Sequence, residues 1–213
     1  LVILDTKIGD IGATCEQAAG AIFDQMGADA TTANPYMGQD AVQPLLDRAD
    51  RGVIFICKTT NKGSGELQEL PVTVPQEELL ALTESIPATI RERLEHTILL
   101  WEWVALKVAR KWNNNGNCGI VVGATANPVD LRFARRLVGS DVSLLIPGVG
   151  KQGGDLEAAV LAAAGEDRRG LFLVNASTAI GHASDGADYV EAAGLAAQKY
   201  NADIGNILAT KVA

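Results

Sequence analysis

The residues at the start of the chain that could do chemistry are Asp5, Lys7 and Asp10, in the spacing D-x-K-x-x-D. Side chains alternate along an extended strand, so Asp5 and Lys7 are expected to project to the same face. Negative charge beside an ammonium group favours its protonated form, which makes Lys7 a candidate proton donor. A salt-bridged cluster at a strand end is the structural alternative that this spacing leaves open.

A glycine-rich stretch, Gly148 to Gly153, follows Pro147 late in the chain and formally matches G-x-G-x-x-G. Such a loop brings backbone N–H groups close to an anion, because no side chains stand in the way. Its late position favours the phosphate-binding loop after the penultimate strand of a barrel over the first turn of a dinucleotide fold. A plain tight turn remains the alternative.

The elements that must position these residues are short apolar runs, each followed by a turn and a stretch with helical spacing. This alternation is typical of βα units around a parallel sheet. Strands are predicted at Leu1–Asp5, Asp29–Ala33, Gly52–Lys58, Gly119–Gly123, Val142–Ile146 and Leu171–Asn175. Helices are predicted near Thr14–Met26, Asp40–Ala49, Ser85–Asn113, Val129–Leu137, Leu156–Ala164 and Ala187–Tyr200.

The fold predicted from this pattern is a (β/α)8 TIM-type barrel, with roughly six of its eight βα units visible. An open doubly wound sheet has the same alternation, so the motifs have to decide between the two. The chain begins in what reads as a buried strand, LVILD, and the two remaining units are expected upstream. Residues 1–213 are predicted to form a single domain, with a long loop at 61–87.

Composition excludes several classes of protein. A formal net charge of −8 without a dense Lys/Arg block argues against a nucleic-acid or anionic-membrane surface. The three cysteines are far apart, which fits a reducing cytoplasm better than a disulfide framework. His96 and His182 are isolated, so no metal site is predicted. The apolar runs are too short to span a bilayer.

Five segments, in order, resemble the bacterial-type orotidine 5'-phosphate decarboxylases. They are LDTKIGDIGATCEQAA, NPYMGQDAVQPLL, ADRGVIFICKTTN, WNNNGNCGIVVGAT and LLIPGVGKQGGDLEAAV. The resemblance runs from Leu1 almost to the C-terminus, and departs from the family mainly at Glu69–Leu100 and in the last strand. It implies a barrel enzyme that converts orotidine 5'-phosphate to uridine 5'-phosphate without a cofactor.

The resemblance also implies roles for individual residues. Lys7 would protonate C6 of the pyrimidine as carbon dioxide leaves, and Asp5 would crowd the substrate carboxylate. Asp10 and Thr14 match residues that the family contributes across a homodimer interface to the neighbouring site.

Further matching positions imply how the substrate would be bound. Thr60 falls where the family reads the pyrimidine edge with a Ser or Thr. Pro147 and Gln152 match the loop that closes over the base and phosphate, and Gly150 and Gly153 shape that loop.

Two departures concern phosphate and the upstream residues. The family's last strand ends in an NASRGI-like run whose Arg grips the phosphate, whereas this chain reads NASTAI, with Thr178 at that place. Because Thr178 cannot form a charged bidentate clamp, phosphate binding is expected to be weaker unless Lys151 compensates. The family's lysine from the preceding strand and its ribose-binding aspartate have no counterpart in the numbered chain.

Two rival functions stay open from the sequence. One is a sugar-phosphate decarboxylase or aldolase of the same wider group, which shares D-x-K-x-x-D but requires magnesium. The other is a catalytically weak or silent barrel that binds a nucleotide or a partner chain.

Overall fold

The computed structural model describes residues 1–124, 128–149 and 154–210, apart from the side chain of His96. Six of the described strands form one parallel sheet in the order β1-β2-β3-β6-β7-β8, and β4 and β5 form a short antiparallel pair. The strands are β1 Ile3–Ile8, β2 Ala30–Ala33, β3 Gly52–Lys58, β4 Pro71–Val72, β5 Ile98–Leu99, β6 Cys118–Val122, β7 Ser143–Pro147 and β8 Phe172–Asn175.

Helices follow the strands of the parallel sheet, as the alternation of the sequence predicts. They are α1 Gly12–Ala19, α2 Gln39–Leu46, α3 Gly65–Gln68, α4 Gln76–Thr83, α5 Ala88–His96, α6 Leu100–Lys107, α7 Pro128–Val138, α8 Leu156–Ala164, α9 Ser177–Gly181 and α10 Tyr189–Ala209. Segments of π-helix, Gly20–Gln25 and Val108–Trp112, extend α1 and α6, and a 3-10 turn covers Pro35–Met37.

The core lies between the sheet and its helices and is deepest at the centre of the sheet. Every residue of β6 is buried, and Phe55, Ile120 and Leu144 from adjacent strands have no exposed surface. Their helix-facing side chains pack with buried residues such as Leu45 and Leu106. Burying large apolar side chains is the main stabilising contribution to such a layer.

The strand β1 begins and ends later than predicted. The predicted strand Leu1–Asp5 is observed at Ile3–Ile8, and Leu1 is 87% exposed, so the expectation of a buried opening strand is wrong there. The shift puts Lys7 inside the strand. None of the helices in the described ranges combines the length and apolar character that crossing a bilayer requires.

The predicted single helix over Ser85–Asn113 is also wrong, because the chain is extended at Ile98–Leu99 between α5 and α6. Glu102 explains the break: its carboxylate accepts a hydrogen bond from the Leu99 N–H at 2.9 Å and caps the new helix. The Glu102 side chain is fully buried and pairs with Arg93 at 2.6 Å.

The stretch at 61–87, predicted as a long loop, contains α3, β4 and α4. The pairing of β4 with β5 brings Val72 opposite Ile98, a contact between residues far apart in the chain. Sequence patterns of this length do not reveal such a pairing, because two-residue strands depend on tertiary contacts.

Candidate active site

The carboxyl end of β1 departs from regular strand geometry. Leu4 pairs with Thr31 and Ile8 with Ala33, so β1 has two more residues than β2 between these pairs. The bulge includes Lys7, whose φ of 50° lies in the left-handed region. A hydrogen bond from the Lys7 N–H to Thr32 Oγ1 at 2.9 Å holds this conformation. Bulges often re-aim side chains beside functional sites.

Asp5 and Lys7 are in direct contact, with 2.5 Å between Lys7 Nζ and Asp5 Oδ2. The other carboxylate oxygen of Asp5 accepts a hydrogen bond from Thr32 Oγ1 at 2.8 Å. Partial burial acts to raise the pKa of Asp5, but the hydrogen bonds from Lys7 and Thr32 outweigh it and hold the pKa below its ordinary value. The carboxylate is thus kept charged beside the ammonium group.

The Asp5–Lys7 pair faces a cleft of about 710 Å³ on the concave side of the sheet. The apolar wall of the cleft includes Ile56, Val121 and Leu145 from three neighbouring strands. Ligand sites of barrel enzymes form at this carboxyl end of the strands. An ammonium group beside an apolar wall can interact with charge that develops nearby once a bound ligand excludes water from the cleft.

Two residues with predicted binding roles also line the cleft, Thr60 after β3 and Pro147 at the end of β7. Gly123 is required beside Thr60, because a Cβ at that position would lie 2.0 Å from Thr60 Cγ2. The glycine that follows β6 therefore allows the Thr60 loop to approach the sheet closely.

The glycine-rich loop is described only at its base. Val149 and Gly154 form an isolated parallel bridge, and the Gly154 N–H donates to the Gly148 carbonyl at 3.2 Å. The predicted loop residues Gly150, Lys151, Gln152 and Gly153 lie outside the described residues.

Thr178 does not line the main cleft. It is exposed in α9 and borders a smaller cavity of about 70 Å³, together with Pro147 and Gly148. The two cavities share Pro147 and the segment 175–177, so Thr178 lies at an extension of the cleft.

Asp10 and Thr14 are exposed and do not line the cleft. Asp10 accepts a hydrogen bond from the Ile11 N–H at 2.7 Å just before α1. The structure therefore brings Asp5 and Lys7 together with Thr60 and Pro147, and leaves Asp10 and Thr14 apart from them.

Sequence reasoning missed a buried lysine, Lys58, at the end of β3. Its ammonium group forms an ion pair with Glu69 and lies 4.0 Å from Asp130 and 5.8 Å from the centre of the Trp101 ring. Burial raises the pKa of Asp130, although Lys58 acts in the opposite direction. The signal in the sequence that could have indicated Lys58 is its position as the one charged residue at the end of an apolar strand, GVIFICK.

The ion pair between Lys58 and Glu69 joins the two ends of the segment 58–69, and residues near the start of this segment form one rim of the cleft. Within this segment the Thr59 N–H donates to Gln68 Oε1 at 2.9 Å, and Gln68 Nε2 donates to Thr59 Oγ1 at 2.9 Å. These contacts tie both ends of the segment 58–69 together next to Thr60.

Within 1–124, 128–149 and 154–210, no group of three or more His, Cys, Asp or Glu side chains is placed to hold a metal ion. His182 is exposed.

Comparison with known proteins gives consistent results at three levels. Residues 1–193 match the model of the Orotidine 5'-phosphate decarboxylase / HUMPS family. The chain is 45% identical over 192 residues to the orotidine 5'-phosphate decarboxylase of Janthinobacterium sp. (strain Marseille), an alignment that covers 90% of this chain and 61% of that protein. The chain thus spans less than two thirds of the length of such relatives.

Two solved structures from Leishmania donovani are similar. The OMP decarboxylase has a TM-score of 0.73 at 33% identity and is matched over 99% of this chain and 69% of its own. The UMP synthase has a TM-score of 0.74 at 34% identity and is matched over 100% of this chain and 40% of its own. This likeness confirms the prediction of the TIM-type barrel fold, of which the six parallel strands form a curled part.

Proposed function

The chain belongs to the orotidine 5'-phosphate decarboxylase / HUMPS family, and on that premise we propose that it decarboxylates orotidine 5'-phosphate to uridine 5'-phosphate. The observation that carries the proposal is the 2.5 Å contact between Lys7 and Asp5 at the mouth of an apolar cleft. Relatives 40–45% identical to this chain carry the name of this decarboxylase.

The proposed reaction breaks the bond between C6 and the carboxylate carbon, and the electron pair of that bond stays on C6. Lys7 then gives a proton to C6, while carbon dioxide leaves. The ammonium group would stabilise the charge that develops at C6, in a cleft from which the bound substrate displaces water. Asp5, held charged by Thr32 and Lys7, stands next to the substrate carboxylate. The proposal assigns no metal or organic cofactor to the reaction.

Substrate recognition is assigned to both ends of the cleft. Thr60 would read the pyrimidine edge, and Pro147 and Gln152 would cover the base and phosphate, with Gly150 and Gly153 shaping the loop. Phosphate would lie toward the smaller cavity that Thr178 borders. Binding energy from the phosphate would hold the pyrimidine against Lys7 and raise the rate of the chemical step.

The enzyme is proposed to act as a homodimer in the cytoplasm, with Asp10 and Thr14 reaching the partner's cleft. Their exposure outside their own cleft supports this assignment. Mixing Asp10→Asn with Lys7→Ala protein tests it, since a mixed dimer has one intact site. About a quarter of wild-type activity should return after random exchange of subunits. If the mixture is as inactive as its components while subunits exchange, Asp10 does not act across an interface.

Loss of the orotidine 5'-phosphate absorbance, followed with purified protein, tests the reaction. The proposal predicts turnover that EDTA leaves unchanged. Loss of that turnover with EDTA, and its return with magnesium, would instead favour the sugar-phosphate type of reaction chemistry.

A second candidate, a silent nucleotide-binding barrel, is favoured by Thr178 at the place of the family's phosphate-gripping Arg. It predicts binding of uridine 5'-phosphate without turnover. Thr178→Arg should tighten that binding about tenfold, because a charged bidentate contact replaces a neutral hydroxyl. An unchanged product affinity in this variant would place the phosphate elsewhere.

A further inference from the structure

A second large cavity lies away from the cleft, between the C-terminal ends of α7 and α8 and the N-terminal end of α5. It has a volume of about 670 Å³ and is lined by four arginines but only two carboxylates. The arginines are Arg132, Arg135, Arg136 and Arg168. The chain as a whole has a net charge of −8, so a cavity lined by more arginines than carboxylates differs from the rest of the molecule. Positive charge that lines a concave surface attracts anions.

Two of these arginines are exposed where they line the cavity. Arg132 and Arg136 are exposed and stand four residues apart on α7, so their side chains emerge from the same face of the helix. Arg136 pairs with Glu166, whose side chain is 82% exposed, and Arg132 has no ion pair within the described ranges. Like charges at this spacing repel each other, and a bound anion would relieve that repulsion.

The floor of the cavity is a buried cation. Arg135 is 4% exposed and donates hydrogen bonds to the carbonyl oxygens of Ala163, Gly139, Val142 and Leu171. Burial lowers its pKa to about 10, so it stays charged at neutral pH. Its donors are used by carbonyl groups at the C-terminal ends of α7 and α8, so Arg135 offsets the partial negative charge that these helix ends direct at the cavity.

The opposite wall of the cavity is the first turn of α5. Pro87, Thr89 and Ile90 line the cavity at the start of α5, and Pro87 supplies no side-chain cap to that helix. The first N–H groups of a helix carry partial positive charge and favour anions. Arginine side chains on one side and a helix N-terminus on the other are therefore arranged around the same space.

We propose that this cavity is a binding site for a multiply charged phosphate anion, held by Arg132 and Arg136 over the Arg135 floor. Planar guanidinium groups can bind phosphate oxygens in pairs, and two of them match an anion with several charges. Glu166 competes with the anion for Arg136. The site is separate from the cleft and does not rest on the proposed decarboxylation.

Calorimetric titration with pyrophosphate tests the proposal, using protein saturated with uridine 5'-phosphate so that the cleft is occupied. Binding should persist under saturation, and Arg132→Gln and Arg136→Gln should each weaken it about tenfold. Glu166→Gln should tighten it, because a competing carboxylate is removed. Arg169→Gln is the matched control, since Arg169 is exposed but does not line the cavity.

Three results would overturn the proposal. The first is that pyrophosphate does not bind to the saturated protein. The second is that Arg169→Gln weakens pyrophosphate binding as much as the cavity variants do, which would indicate only diffuse charge attraction. The third is that binding is unchanged in both Arg132→Gln and Arg136→Gln. If the protein fails to bind uridine 5'-phosphate at all, the proposed function fails but the titration still decides this site, because the cavity variants are compared with the same control.

Discussion

The centre and the edge of the parallel sheet are built differently. In β3 and β6 most or all residues are buried, and their side chains form the core between sheet and helices. In β1 and β8 exposed and half-buried residues prevail, and β1 contains the bulge with Lys7 at a left-handed φ. The centre therefore supplies stability, whereas the candidate Asp5–Lys7 pair lies on a strand with irregular backbone and no fully buried residue.

The largest effect is expected for Lys7→Ala at the edge. Removal of the proposed proton donor should lower turnover by at least about 10²–10⁴-fold. The melting temperature should stay close to that of the wild type, because the side chain is 56% exposed. Steady-state kinetics and thermal melting of the same preparation measure both. Retained turnover would remove Lys7 from the mechanism.

At the centre of the sheet we expect a substitution to lower stability strongly. Ile120→Ala removes a side chain with no exposed surface and should cost about 2–5 kcal/mol in the free energy of unfolding. Leu173→Ala on the edge strand β8 is the matched control, and should cost only about 1 kcal/mol because Leu173 is 37% exposed. Urea denaturation compares the two. Equal losses would contradict the division between centre and edge.

Lys58 belongs to both regions, because it is a buried residue of the central strand β3 and its ion pair with Glu69 holds the rim of the cleft. Lys58→Met should raise KM for orotidine 5'-phosphate about tenfold through a loosened segment 58–69, whereas Lys58→Arg keeps the ion pair with Glu69 and should restore much of the loss. A purely structural role predicts a lower melting temperature with unchanged KM. That outcome would remove Lys58 from substrate positioning.

The smallest effect concerns acid stability. The folded-state pKa of Asp5 is depressed, so its contribution is present above the unfolded value of about 3.9 and is lost as pH falls through the folded value. Asp5→Asn should be slightly less stable than the wild type at neutral pH, and the difference should vanish in that acidic range. Denaturation measured from pH 7 downward checks this. A difference that grows with acidity has the wrong sign.

Much of the fold could be predicted from the sequence because it depends on local pattern. Apolar runs such as Gly52–Lys58 alternate with helical spacing, and the strand observed there has the predicted bounds. The break at Ile98 could not be predicted, because it depends on pairing with Val72 and on the capping carboxylate of Glu102.

The candidate site also has a part that follows from local sequence pattern and a part that depends on tertiary contacts. Side-chain alternation placed Asp5 and Lys7 on one face, and the structure has both on the cleft, although through a bulge that the sequence does not reveal. The sequence does not reveal the contacts of Lys58 and Arg135. Their partners, Glu69 and the carbonyl groups of Ala163 and Leu171, come close only in the folded chain.

The central claim is that Lys7 delivers a proton to C6 of the pyrimidine. A crystal structure of the protein with uridine 5'-phosphate tests it most directly. The account predicts product in the cleft with Lys7 Nζ about 3–3.5 Å from C6. Product bound in the cleft with Nζ turned toward bulk solvent, or with C6 facing away from Lys7, would contradict it.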